Sequence, residues 1–176
     1  QLIISYNFMQ KTNMVAQAKD VQEHIKELLK LQKKENPKKD YGQETFTKEF
    51  KTSIVYPPDN NMKPDLKQQT FNIMKVMCGM LNSYGGTLYL GVSDTGTACG
   101  LTDDVTFLGG NFDKYDLYVR NSIRNAFGDH VNASISVEHP EAGKHYIYAI
   151  RIPASKTPVA LRTDGVCYLR EGTSTY

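Results

Sequence analysis

Between residues 66 and 92 the chain switches its hydrophobic period abruptly, and that switch limits what it can fold into. Phe71, Met74, Cys78 and Leu81 fall on one stripe at helical spacing, and Asp65 is placed to cap the first turn. The predicted helix runs from Leu66 to about Ser83 and is broken by Gly85-Gly86. Thr87-Leu88-Tyr89-Leu90-Gly91-Val92 follows at once as a short apolar strand. These glycines leave a helix and enter a strand, the reverse of the order in a dinucleotide-binding turn. No GxxxxGK[ST] occurs either, so phosphate capture at a helix N-terminus has no support here. No GxSxG nucleophile elbow is present.

The remainder mixes both periods. Thr47 to Val55 is strand-like and ends at Pro57-Pro58, followed by a polar loop through Pro64. Asp94-Thr95-Gly96 turns into a second short strand reaching Leu101. After a loop with Gly109-Gly110, Asp113 caps a helix that runs to Phe127 and stops at Gly128. Val131–Glu138 and Tyr146–Ile152 alternate as strands, and a last pair, Val159–Leu161 and Val166–Arg170, flanks Thr163-Asp164-Gly165. Strands joined mostly by hairpins, with helices between, predict an α+β fold: a mixed, mostly antiparallel sheet with packed helices.

Ahead of this domain, Val21, Ile25, Leu28 and Leu29 recur at helical spacing between Lys and Glu, with Thr12 or Asn13 as cap and Asn36-Pro37 as stop. Residues 1–41 therefore read as a helical arm and linker, and 42–176 as the domain. Charge follows the same division. The chain carries a formal +2; residues 1–42 hold eight Lys against five acids, and residues 43–176 hold 13 bases against 14 acids. Bulk electrostatics cannot drive nucleic-acid binding by such a domain; affinity must come from a few placed Lys and Arg residues, from the arm, or from metal held by acids. The arm can touch phosphates, or pack as an amphipathic helix on a partner, including a second copy in a homodimer.

Other classes are excluded more simply. No apolar run approaches the roughly 18 residues of a membrane span. The opening QLIISYNFMQK lacks a basic n-region and a small-residue cleavage site, so no signal peptide is expected. Cys78, Cys99 and Cys167 form no CxxC pair, which favours reduced thiols and a cytoplasmic setting over a disulfide framework. The four His show no metal-ligand spacing.

Three stretches carry candidate chemistry. Glu44-Thr45-Phe46-Thr47-Lys48-Glu49-Phe50-Lys51 holds two carboxylates that share neither a helix face nor a strand face, so they converge only with Glu44 in a loop and Glu49 on a strand. Asp94 stands at a strand end, where a third acid can join them. Tyr168-Leu169-Arg170-Glu171-Gly172-Thr173-Ser174-Thr175 ends a strand in hydroxyls suited to an anion. Phosphate contacts fall to Lys48, Lys51, Arg120, Arg124, Arg162 and Arg170, with Thr173 and Ser174 as hydroxyl donors. Structural roles compete with each of these. Glu49 can pair with Lys51 or another base, Glu44 can cap a loop, Asp94 can be an ordinary turn residue, and Arg120 can pair with Asp116 one turn back.

Together, E-T-F-T-K-E-F-K at 44–51, N-S-Y-G-G-T-L-Y-L-G-V-S-D-T-G-T-A-C-G-L at 82–101, K-T-P-V at 156–159 and Y-L-R-E-G-T-S-T at 168–175 resemble the Schlafen AlbA-type domain. The resemblance covers roughly residues 42–176. It implies a DNA-binding module of the kind found in bacterial transcriptional regulators. Schlafen proteins with RNase activity carry an acidic trio at positions held here by Glu44, Glu49 and Asp94. By resemblance these residues would be catalytic and would bind Mg²⁺ or Mn²⁺ in a metal-dependent endoribonuclease. Ser93 stands where many members have another acid, and PPDNNMKPD is a longer insertion than usual. The first expectation is a nucleic-acid-binding module, DNA before RNA, with no resident cofactor. The endoribonuclease is the alternative, and a protein-interaction or dimerisation module the third.

Overall fold

The computed structural model describes residues 40–58, 63–142 and 145–176, together with residues 19, 22, 23 and 26. The chain divides into two units, Gln1–Pro37 and Lys38–Tyr176. In the first, residues 19, 22, 23 and 26 are helical; the arm's predicted caps and the dimer seam expected of it lie outside the described residues.

The second unit is α+β. Helix α1, Leu66–Leu81, begins as the sequence predicts: the Asp65 carboxylate accepts the Gln68 amide at 3.1 Å, a cap worth about 1 kcal/mol. Met74, Cys78 and Leu81 are buried along its stripe. The chain leaves through Gly85, whose φ of 72° and close approach to Ile152 exclude a side chain: a Cβ there would sit 2.5 Å from the Ile152 carbonyl oxygen.

Strands β1 (Lys48–Lys51), β2 (Gly86–Leu90), β3 (Ser136–Glu138) and β6 (Tyr148–Ile152) form the main sheet in the order β1-β2-β6-β3. β1 pairs β2 in parallel; both other pairings are antiparallel. β4 (Glu141–Ala142) and β5 (His145–Tyr146) make one hairpin, β7 (Arg170–Glu171) and β8 (Ser174–Thr175) another. Helices α2 (Thr102–Phe107), α3 (Phe112–Phe127) and α4 (Asp129–Ser134) complete the unit.

Register assigns the two faces. Leu88 of β2 lies opposite Ile150 of β6, and both are buried with Met77, Leu81, Val119 and Ile123 from α1 and α3. This face makes the main core. On the other face Phe50, Val92, Ala98, Ala142 and Ile147 form a smaller cluster against Tyr41 and Tyr89.

Several local expectations shift. The α3 cap is Asn111, whose side chain accepts the Lys114 amide at 2.9 Å, two residues before the expected Asp113. Val131 to Ser134 is helical, so the strand begins only at Ser136. β1 spans four residues, because Ser53 turns to bond Asp104. The pairs expected beyond Asp94 and around Asp164 shrink to single bridges, Val92 with Ala98 and Leu161 with Val166. In place of the second ladder, Asn82 holds the C-terminal segment: its amide donates to the Val159 and Tyr168 carbonyls and accepts from the Val159 N–H, at 2.7–2.9 Å.

Candidate nucleic-acid interface

The three motif blocks of the sequence meet at one buried guanidinium. Arg170, at the start of β7, has a fully buried side chain, and its Nη2 reaches Glu49 Oε2 at 2.6 Å. The same group donates to the Phe46 and Thr45 carbonyls at 2.9 and 3.1 Å. Its backbone exchanges hydrogen bonds with the Ser83 hydroxyl after α1. A charge this deep is tolerated because Nε and Nη2 face three oxygens, one of them a carboxylate, while Nη1 is buried without a hydrogen-bond partner. Arg170 is thus an internal strut, unavailable to a phosphate in solvent.

The acidic trio is distributed rather than gathered. Both Glu49 oxygens are engaged, Oε2 by Arg170 and Oε1 by the Lys51 ammonium. Glu44 lies in the loop before β1 and accepts the Phe50 N–H at 2.8 Å, satisfying a donor on the sheet's outer strand. Asp94 is exposed on the turn closed by the Gly96 N–H to Ser93 carbonyl bond of 2.8 Å. Among the described residues no group of three or more His, Cys, Asp or Glu is arranged to hold an ion. The acids as arranged therefore do not fit a Mg²⁺ or Mn²⁺ centre, which needs several oxygens converging within about 2.0–2.6 Å.

The predicted cations separate by location. Arg120 and Arg124 are exposed on α3, where they pair with Asp116 at 2.8 Å and Asp129 at 2.9 Å. Asp116 also accepts the Tyr148 hydroxyl at 2.6 Å, and burial together with that bond pushes the phenol well above its usual range. Arg162 lies over Gly128 at the α3 C-terminus, so close that a Cβ there would be 2.2 Å from Nη2; a cation suits that end of the helix dipole. Thr173 and Ser174 are exposed at the β7–β8 tip. Lys51 is held under Glu49 on the core side of the sheet. Lys48 alone of the set points to the other face, where its ammonium donates to the Tyr41 carbonyl at 3.0 Å.

That second face holds residues that motif reading missed. Lys48 pairs in register with Thr87, Thr87 with Arg151, and Arg151 with Ser136, so one polar row crosses all four strands. Lys48 and Thr87 are half-buried; Arg151 and Ser136 are exposed. Arg151 forks onto Glu138 with bonds of 2.6 and 3.0 Å, which holds that carboxyl below its usual range. Thr87, Arg151 and Ser136 of this row line a cleft of about 340 Å³ with Gly86, Ser134 and Pro153. The period-two alternation of Tyr148–Ile152 was the available signal: it exposes Arg151 between two buried isoleucines. A larger cleft of about 790 Å³ lies between α1 and α3, with Phe71, Met74 and Tyr118 in its wall, but no cluster of charge converges on it.

An α+β domain with one sheet face packed under helices and a polar row across the other is the class this geometry defines. Residues 44–176 match the model of the Schlafen, AlbA_2 family, and the chain belongs to that family, one generally associated with nucleic acids. The fold is similar to that of the DIP2311 protein from Corynebacterium diphtheriae: 18% identity, a TM-score of 0.53, and coverage of 74% of this chain. The chain spans 25% of the length of that protein. No curated protein matches it. No described helix is long and apolar enough to cross a membrane.

Proposed function

We propose that the second unit is a nucleic-acid-binding module, with DNA as the first ligand to test and a transcriptional regulator as its setting. The observation that carries this reading is the register-aligned row Lys48–Thr87–Arg151–Ser136 across the sheet face opposite the helices. Two cations and two hydroxyls along one line suit successive phosphate oxygens. The Arg151–Glu138 pair is solvent-exposed and therefore weak and screened, so the guanidinium exchanges a carboxylate for a phosphate at little cost. With 13 bases and 14 acids over residues 43–176, affinity must come from such placed groups. The basic arm adds sequence-independent attraction.

The test is a salt titration of DNA and RNA binding by fluorescence anisotropy. Affinity should fall steeply with salt, and Lys48→Ala and Arg151→Ala should each weaken binding and flatten the log–log slope by about one. Absence of binding to every nucleic acid at low salt overturns the reading.

A further inference from the structure

We propose that this face takes a single-stranded rather than a duplex nucleic acid, with one base stacked on Tyr84; the inference rests on the nucleic-acid reading above and specifies its ligand. Tyr84 is 79% exposed, more than any other large apolar or aromatic side chain described. It is nonetheless rigidly presented. Its ring meets Phe46 edge-on with centroids 5.0 Å apart. The preceding residue, Ser83, is bonded to the Arg170 backbone in both directions. The following residue, Gly85, is locked against Ile152 and Ala154.

The position of this ring gives it a use. Tyr84 lies three residues before Thr87 of the polar row, so their Cα atoms are no more than about 11 Å apart. The Ser155 amide bonds the Leu81 carbonyl at 2.7 Å, which brings the next residue, Lys156, to the same corner. Lys156 is exposed and forms no ion pair among the described residues. The corner therefore combines a fixed aromatic face, an uncommitted ammonium and a hydroxyl-lined cleft of about 340 Å³. A single strand offers an open base face at every nucleotide, whereas a duplex keeps its bases stacked on one another. Among the described elements, helices α1 and α3 are the ones long enough to enter a major groove, and they pack on the opposite face.

The experiment uses the full chain at low salt, with oligo(dT) and oligo(U) of about twelve nucleotides and a mixed-sequence duplex of the same length. Single strands should bind more tightly than the duplex. Tyr84→Ala should weaken single-strand binding roughly tenfold, with Tyr84→Phe close to wild type and duplex binding unchanged. Circular dichroism checks that each variant is folded. Single-strand affinity within twofold of wild type in Tyr84→Ala, or equal losses for duplex and single strand, would overturn the inference while leaving nucleic-acid binding standing. Failure of wild type to bind any probe removes both.

Discussion

Arg170 and Glu49, 121 residues apart in the chain, form a buried ion pair with Nη2 2.6 Å from Oε2. The contact ties the C-terminal hairpin to the outer strand of the sheet, and through Ser83 to the end of α1. It gives Glu49 a role in holding the fold, with each of its oxygens already bonded to a cation, Arg170 or Lys51.

Removing Glu49 strands the buried guanidinium, and removing Arg170 leaves the buried Glu49 carboxylate with Lys51 as its one remaining cation partner among the described residues. Arg170→Ala should lower unfolding free energy by about 3–5 kcal/mol, read from urea denaturation. The double variant Glu49→Leu, Arg170→Met should recover part of the loss, because two apolar groups leave no unpaired charge behind. A loss below about 0.5 kcal/mol for Arg170→Ala would mean that the pair does not hold in solution.

Metal dependence is expected to be absent from stability. An ion at 100 times its dissociation constant would add about 2.7 kcal/mol, so thermal midpoints in millimolar MnCl₂ and in EDTA should coincide. Asp94→Ala, on an exposed turn, should change stability by less than about 0.5 kcal/mol. A midpoint raised by Mn²⁺ and lost in Asp94→Ala would restore the acidic trio as a metal centre.

Asp104 provides a pH test. Its carboxylate is buried and accepts the Ile54 N–H at 2.9 Å and the Ser53 hydroxyl. Burial outweighs those bonds and raises its pKa above the usual aspartate range. The folded state then holds this proton to higher pH than the unfolded chain does. Its contribution to stability is full below the unfolded pKa and is lost as pH rises through the folded value. Stability measured upward from pH about 4 should fall less steeply in Asp104→Asn than in wild type.

The α3 cap discriminates between two neighbouring residues. Asn111→Ala should cost about 1 kcal/mol by removing the acceptor for the Lys114 amide. Asp113→Ala should cost only about 0.3–1 kcal/mol, from the helix dipole alone. Thermal unfolding of the two variants side by side settles the order.

What was legible in the sequence was local. The Asp65 cap, the α1 stripe and the Gly85-Gly86 break follow from side-chain chemistry within a few residues, and each recurs in the structure. The α+β class followed as well, because alternating periods separated by turn residues allow few other arrangements. Residues 131–134 were misread because Val131 and Ile135 suit a strand locally, while the chain just after Gly128 coils for one more short helix before it joins β6.

The site was less legible, for a physical reason. A charged residue looks the same in sequence whether it is solvated or buried, and only long-range packing decides. Arg170 resembled a phosphate ligand until Glu49, Phe46 and Thr45 closed round it. Arg151 carried no motif and became prominent only when strand register aligned it with Lys48, Thr87 and Ser136. Sequence alone determined the α+β class, the α1 helix with its Asp65 cap and the blocks that define the family. Tertiary structure decided which charges are struts and which face solvent, because strand register and the burial of Arg170 depend on contacts between residues distant in the chain, Arg170 and Glu49 being 121 apart.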